Sequence, residues 1–302
     1  MKLCELYVYV KQKLSQNYSN DSNDSICSNL QQECMVILGH VMNLSSIDII
    51  SRFNEDIVDQ DLQYKVQNLV TKRLSGMPIE YITEKAQFMS LEFCVNQNVL
   101  IPRPETELLV ELAIERSTNY SNYSNDIQIL DLCTGSGCIA LSLAKYIKNS
   151  KVIGVDISTK ALKVAKKNKK NLCINNCNFF KFDCLRDLSG LIKYSDKKYD
   201  ILTCNPPYIN EIDMLKLSES VSKFEPHIAL RSDKDGLKFY KSIIRHLFKI
   251  MNKNGLVIFE IGYNQANSVK KLIECCDNNF KNVEIHKDLF GNNRICTAFY
   301  SV

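Results

Sequence analysis

The sequence predicts an α/β protein: a Rossmann-like sheet behind a small all-α domain, the two joined by a β-hairpin linker. Three observations carry that expectation. Apolar residues recur at helical spacing through residue 78, and between Gln87 and Ile101 the period changes to two. From Gln128 onward, short apolar strands alternate with helical stretches, and the first two strands end in acids with a glycine turn between them. The boundaries drawn from this pattern are 1–82 for the helical domain, 83–100 for the linker and 101–302 for the sheet domain.

Leu3, Leu6, Tyr7, Val10 and Leu14 share one face of an opening helix. Asn17 to Asn29 is almost wholly Asn, Ser and Asp, and is read as a polar insert with nothing to bury. Helical spacing resumes through Met35, Val36, Leu38 and Val41–Met42, and again around Ile47, Ile49–Ile50 and Phe53. A last helix carries Leu62, Val66, Leu69–Val70 and Leu74, and Gly76 with Pro78 terminates it. The linker reads as a hairpin with strands at Phe88, Leu91–Phe93–Val95 and Val99, turning at Asn96–Gln97–Asn98. Ile101 to Glu107 then opens a helix through Leu108, Leu109, Leu112 and Ala113, and a second polar patch, Ser117 to Asp126, comes after it.

In the sheet domain, Gln128–Cys133 is a strand, Thr134-Gly135-Ser136-Gly137 a tight turn, and Ile139–Ala144 a helix. Val152–Ile157, Asn178–Asp183, Tyr199–Cys204 and Leu256–Ile261 read as further strands, the last apolar enough to be central. A helix begins near Asp235–Gly236. The closing strands, Val283–Ile285 and Arg294–Phe299, are joined too closely for a crossover helix, so at least one must run antiparallel.

A chain of 302 residues with 45% hydrophobic and 24% charged residues is an ordinary globular protein of about two domains. Its thirteen cysteines are odd in number and lack a C-x-x-C pair, with Cys173 and Cys177 the nearest approach, and the four histidines are scattered. They are read as reduced thiols in a cytoplasmic protein, with no metal site. No stretch reaches the roughly 18 apolar residues that a membrane span needs. A net charge of +4 gives no argument for nucleic acid by itself.

The chemistry concentrates at strand ends. Asn205-Pro206-Pro207-Tyr208 follows an apolar strand, and two prolines stop the ladder because neither has an N–H. The stiff loop offers groups that suit a planar NH2 substrate. The Asn205 oxygen and the Pro206 carbonyl can accept its two N–H bonds, while Pro207 and Tyr208 wall its face. Asp156 lies about twenty residues beyond the glycine turn, the spacing of a carboxylate that binds ribose hydroxyls. Asp131 and Asp183 also end strands at this edge, and each is read as facing a ligand or as capping nearby N–H groups. Arg103 is locked between two prolines, as a clamp would be. Glu105 and Glu107 sit in a first helical turn, where acids suit the dipole. The lysines from Lys160 to Lys170 are read as a solvated helix face.

With these residues in hand, the chain resembles the PrmC/HemK family, the protein-(glutamine-N5) methyltransferases of peptide chain release factors. The resemblance runs through Pro78-Ile79-Glu80-Tyr81-Ile82, Ile101 to Glu107, the glycine loop, Asp156, Asn205 to Tyr208, Phe224-Glu225-Pro226, Glu260-Ile261-Gly262 and Arg294. It implies a seven-stranded class I S-adenosylmethionine-dependent methyltransferase sheet behind a helical substrate-recognition domain. It also implies methylation of the Gly-Gly-Gln glutamine of class I release factors by a monomeric enzyme with no nucleic-acid or membrane partner. The implied cofactor residues are Asp131, Cys133, Thr134, Gly135, Ser136, Gly137, Asp156, Asp183, Cys184 and Asn205. The implied catalytic residues are Asn205, Pro206 and Tyr208, with Arg103, Glu105 and Pro207 joining them in binding substrate. A methyltransferase acting on nucleic-acid amino groups is the alternative, and an inactive cofactor-binding scaffold a further one. Three departures stand out: Cys133 replaces the first glycine of the loop, Cys184 an aromatic residue near the adenine, and Glu84 a glycine after Thr83. Cys133 needs a negative φ or some strain, which would lower cofactor affinity.

Overall fold

The computed structural model describes residues 1–17, 24–57, 59–118, 126–195, 197–276 and 279–301. The chain forms two compact units, one of residues 1–85 with 219–224, the other of 86–218 with 225–302.

The first unit is helical: α1 (Leu3–Leu14), α2 (Asp24–Met42), α3 (Ser46–Ser51), α4 (Gln60–Leu74) and α5 (Ile79–Thr83). Leu3, Leu6, Val10 and Leu14 of α1 bury against Cys34, Ile37 and Leu38 of α2 and Val66 and Val70 of α4. A half-buried Arg73–Glu33 pair joins α4 to α2 at 2.7 and 3.0 Å. Ser45 caps α3 and Asp59 caps α4, each side chain accepting backbone N–H groups of the first turn. Gly76, at φ +89°, ends α4 as expected, its N–H reaching Arg73 O. Helix α2 begins at Asp24, inside the stretch expected to be a polar insert. Asp, Ser and Asn suit a helix start as well as a loop, so composition alone could not separate the two. Glu84 holds φ +56° at the end of α5, the left-handed position that glycine serves without cost.

The second unit opens with a hairpin, β1 (Lys85–Phe88) and β2 (Leu91–Cys94), of which Lys85 still belongs to the first unit. Its turn is Met89–Ser90, at φ +49° and +57°, not Asn96–Asn98. Glu107 accepts the Met89 N–H at 2.6 Å and Tyr146 donates to the Met89 carbonyl at 2.6 Å, so tertiary partners hold a turn without Gly or Asn. The Asn-rich signal is a local turn instead, in which Asn96 Oδ1 accepts the Asn98 N–H at 3.0 Å. From Ala86 the segment expected to be a separate linker belongs to the second unit, with Phe88 and Phe93 in its core.

Then come α6 (Pro104–Ser117), β3 (Ile127–Leu132), α7 (Cys138–Tyr146), β4 (Ser150–Asp156), α8 (Thr159–Asn171), β5 (Cys177–Lys181) and β6 (Tyr199–Cys204). The short helices α9 (Glu211–Met214), α10 (Glu219–Phe224, part of the first unit) and α11 (His227–Leu230) precede α12 (Lys238–Ile250). The chain closes with β7 (Met251–Glu260), α13 (Ala266–Glu274), β8 (Phe280–Lys287) and β9 (Asn293–Tyr300). The second polar patch falls mainly on 119–125, outside the described residues.

Seven strands form one sheet in the order β5-β4-β3-β6-β7-β9-β8. Strands β3 to β7 pair in parallel, and β9 runs antiparallel to both neighbours, as the short final connection required. Both faces are covered. Leu130, Leu132, Leu202, Val257 and Phe259 pack under α12 and α13, while Ile129, Ile201, Leu256 and Ile258 pack under α6 and α7. That alternation, buried on both sides, explains why the strands read as apolar runs. The order reverses beside β3, so a crevice opens at the carboxyl ends of β3 and β6.

Candidate active site

A cavity of about 240 Å³ fills that crevice. The ends of four parallel strands supply it: Cys133–Ser136 after β3, Asp156–Ser158 at β4, Phe182–Leu185 after β5, and Asn205 and Pro207 after β6. Arg103 and Thr106 line it ahead of and within α6, and Ile228 and Ala229 from α11.

The loop after β3 is built to bring backbone close to a ligand. Thr134 N bonds Val155 O at 3.0 Å and Gly137 N bonds Thr134 O at 2.8 Å, folding the turn tightly. Gly137 holds φ +81° where α7 begins, and a Cβ there would lie 2.9 Å from the Phe179 ring. At Gly135, φ +53°, a Cβ would enter open space, with Cys133 O the nearest atom at 4.0 Å. Asp156 braces this loop: one carboxyl oxygen accepts Gly135 N at 2.9 Å and the other Ser158 N at 2.8 Å. Burial raises its pKa, and those backbone bonds oppose the rise.

Cys133 stands at φ +58°, so the strain expected of a side chain in this position is present. Its sulfur lies 3.8 Å from that of Cys184, which is buried at the cavity wall. The contact with Cys133, together with burial, keeps the Cys184 thiol well above its ordinary pKa. Asp183 also lines the cavity, and Leu185 N donates to its carboxyl at 3.0 Å, so the capping alternative is realised there.

Five expected site residues do not line the cavity: Asp131, Gly137, Pro206, Tyr208 and Glu105. Asp131 is wholly buried because Thr134 and Thr203 draw its carboxyl under the loop, with hydroxyl bonds of 2.5 and 2.9 Å. Gly137 is committed to starting α7. Pro206 is buried in the loop, Glu105 is half-buried on α6, and the Tyr208 hydroxyl turns away to Glu260, 3.4 Å distant. Burial and the neighbouring Glu260 raise the Tyr208 pKa, so it stays protonated. Among the described residues, nothing hydrogen-bonds the Asn205 side chain or the Pro206 carbonyl.

Arg103 projects to the cavity and is held by Glu225, buried just before Pro226, which also accepts Ile101 N at 3.3 Å. Glu260 ends β7, accepts the Thr106 hydroxyl at 2.6 Å and has its pKa raised by burial. Sequence reasoning gave no role to Glu225, Glu260, Thr106 or Thr203. The signals were the motifs that carry the family resemblance around Thr106, Glu225 and Glu260, an acid closing an apolar strand, as at Asp131 and Asp156, and a threonine inside the β6 run. Among the described residues, no group of three or more His, Cys, Asp or Glu side chains could hold a metal ion, and no helix is long and apolar enough to cross a membrane.

Comparisons with known proteins agree with this geometry. A model described as a methyltransferase domain matches residues 123–296, and one described as the PrmC N-terminal domain matches residues 9–83. The release factor glutamine methyltransferase of Clostridium acetobutylicum is 36% identical over 96% of this chain and 98% of its own length. That of Thermodesulfovibrio yellowstonii is 35% identical over 87% and 90%. The crystal structure of the hMettl16 catalytic domain superposes with a TM-score of 0.54 at 15% identity, over 80% of this chain and 82% of that one, a likeness of fold alone. Identity at this level, running through both units and nearly the full length of the relatives, decides the assignment: the chain belongs to the release factor glutamine methyltransferase family.

Proposed function

We propose that this chain transfers a methyl group from S-adenosyl-L-methionine to the side-chain amide nitrogen of the glutamine in the Gly-Gly-Gln motif of class I release factors. The observation that carries the chemistry is the unpartnered Asn205 amide, which opens into the same cavity as Asp156 and the glycine loop. The residues present fit the cofactor. Gly135 offers bare backbone to a ligand, and each Asp156 oxygen, already holding one N–H, keeps a lone pair for a ribose hydroxyl. Asp183 and Cys184 stand at the adenine end. When bound, the cofactor supplies an electrophilic methyl group on a sulfonium centre.

The protein's own contribution is orientation. An amide nitrogen is a poor nucleophile because its lone pair is delocalised, so it must be held about 3–3.5 Å from the methyl and in line with the breaking bond. Asn205 Oδ1 and the Pro206 carbonyl accept the two amide N–H groups and aim the remaining lone pair. As positive charge develops on that nitrogen, both bonds strengthen, which stabilises the transition state. Pro207 walls the site against water, and Arg103, fixed by Glu225, holds the approaching substrate. The helical unit is assigned to recognition of the release factor.

Labelled cofactor offered with intact release factor, with a release factor lacking the Gly-Gly-Gln glutamine, and with RNA tests this reading. Label should enter the peptide carrying the motif and be absent from the glutamine-less protein. Label entering RNA, with none in release factor, would overturn it.

A further inference from the structure

We propose that Gln265 is a positioning residue that sets the target-binding loop through its backbone. The inference rests on reading Asn205 to Tyr208 as that loop. Gln265 is buried at the start of α13, 57 residues from Tyr208 in sequence. Its Oε1 accepts the Gly262 N–H at 3.0 Å. Its Nε2 donates to the Tyr208 carbonyl at 3.1 Å and to the Gly236 carbonyl at 3.3 Å. One planar amide thereby ties the end of β7, the loop after β6 and the turn before α12.

The prolines make this grip necessary. Pro206 and Pro207 have no N–H, so the loop cannot be held there by donating bonds. Just beyond the prolines, the Tyr208 carbonyl is held by the Gln265 side chain. Only then does ordinary backbone pairing resume, with Ile209 N to Leu230 O at 3.0 Å and Ser232 N to Ile209 O at 2.8 Å. The packing leaves little slack. A Cβ on Gly236 would fall 2.5 Å from Tyr208 O and 2.3 Å from Gln265 Nε2, so the turn closes on the loop with no room for a side chain.

The set of partners also specifies the side chain. One acceptor and two donors on a single short plane is what a primary amide offers. A carboxylate would face two carbonyl oxygens with no hydrogen, and an apolar isostere would leave three buried backbone groups unpaired. Either change frees the Tyr208 peptide to rotate and moves the Pro206 carbonyl, two residues upstream, off the substrate amide. Misplacement of about 1 Å costs on the order of a hundredfold in rate.

Gln265→Met and Gln265→Glu in the full chain test this. Gln265→Met is expected to lower kcat for release factor methylation about 10–100-fold, with KM and the S-adenosylmethionine Kd within about twofold of wild type. Gln265→Glu should be slow at pH 8.5 and recover as pH falls to 6, because the protonated acid regains a donor for the Tyr208 carbonyl, whereas wild type shows no such recovery. Hydrogen exchange should quicken in Gln265→Met across residues 208–216 while the peptide covering 256–260 is unchanged. A kcat within twofold of wild type, or a loss of kcat matched by equal losses of cofactor affinity and melting temperature, would overturn the proposal. If wild type transfers no methyl to release factor, the functional reading falls instead. The exchange comparison then still decides the role of Gln265, unchanged exchange at 208–216 refuting it.

Discussion

Replacing Asp131 with Asn tests how the cofactor loop is held. The carboxyl group is wholly buried and takes the Thr134 and Thr203 hydroxyls at 2.5 and 2.9 Å. Burial pushes its pKa from 3.8 up to about 7, and the hydroxyl bonds offset only part of that. Below pH 3.8 the group is protonated in both folded and unfolded chains and contributes no pH dependence. As pH rises from 3.8 to about 7, the unfolded chain loses the proton and the folded chain keeps it, so stability falls. Above that window both states are ionised and the penalty is complete. A shift of about three units corresponds to about 4 kcal/mol, of which roughly 2–3 kcal/mol accrues between about pH 5 and pH 8. Asn has the same shape, keeps an acceptor oxygen and cannot ionise, and the threonine hydroxyl facing its NH2 can turn to accept. Asp131→Asn should therefore gain about 2–3 kcal/mol on wild type as pH goes from about 5 to 8. Urea unfolding of both proteins, followed by far-ultraviolet circular dichroism at each pH, reads this directly. Parallel stability curves would refute the reasoning, since Asp131 would then ionise at an ordinary pH with its anion held by the two hydroxyls.

Asn205→Ala should lower kcat by about 10²–10³ with little change in cofactor Kd, and Asn205→Asp, which keeps an acceptor oxygen, should retain more activity. Near-wild-type transfer by the alanine variant would remove the loop from the mechanism. Asp156→Ala should weaken S-adenosylmethionine binding at least about tenfold by calorimetry, given that each charged hydrogen bond contributes about 1.5–3 kcal/mol; an unchanged Kd would take Asp156 out of the site. Cys133→Gly should bind the cofactor more tightly, since glycine accepts φ +58° without strain. Looser binding would show that the Cys133–Cys184 contact packs productively.

Legibility in the sequence was a matter of range. Each parallel strand is an apolar run because both sheet faces are covered, and a run is a local signal: the stretch Tyr199–Cys204 is both the expected and the observed strand. The antiparallel partner at the edge was legible for the same kind of reason, because a short connection forbids a crossover. The hairpin turn was not. Met89–Ser90 is held in a left-handed conformation by Glu107 and Tyr146, neither of which is near it in sequence. Asp131 shows the same limit. The sequence left it facing a ligand or capping nearby N–H groups, and the partner Thr203, 72 residues on, carried no local mark. Cys133 could be marked as strained from its place in the glycine loop alone, whereas Gln265 carries no local mark. Its work appears only when β6, α12 and α13 come together.

The acids around the cavity share one property that bears on the reaction. Asp156 holds Gly135 N and Ser158 N, Asp183 holds Leu185 N, and Glu225 holds Ile101 N and Arg103. Glu260 holds Thr106, and Asp131 holds two threonines. Each is occupied in fixing backbone or a neighbouring side chain, and among the described residues none hydrogen-bonds Asn205. The proposed transfer needs no such base. An amide nitrogen that has just accepted a methyl group carries positive charge and is strongly acidic, so it releases its proton to solvent after the bond has formed. What the nitrogen lacks is nucleophilicity, and that deficit is met by orientation rather than proton abstraction. The acids are spent on rigidity: they fix the glycine loop, the Arg103 clamp and the start of α6 around a loop whose two prolines deny it N–H bonds of its own.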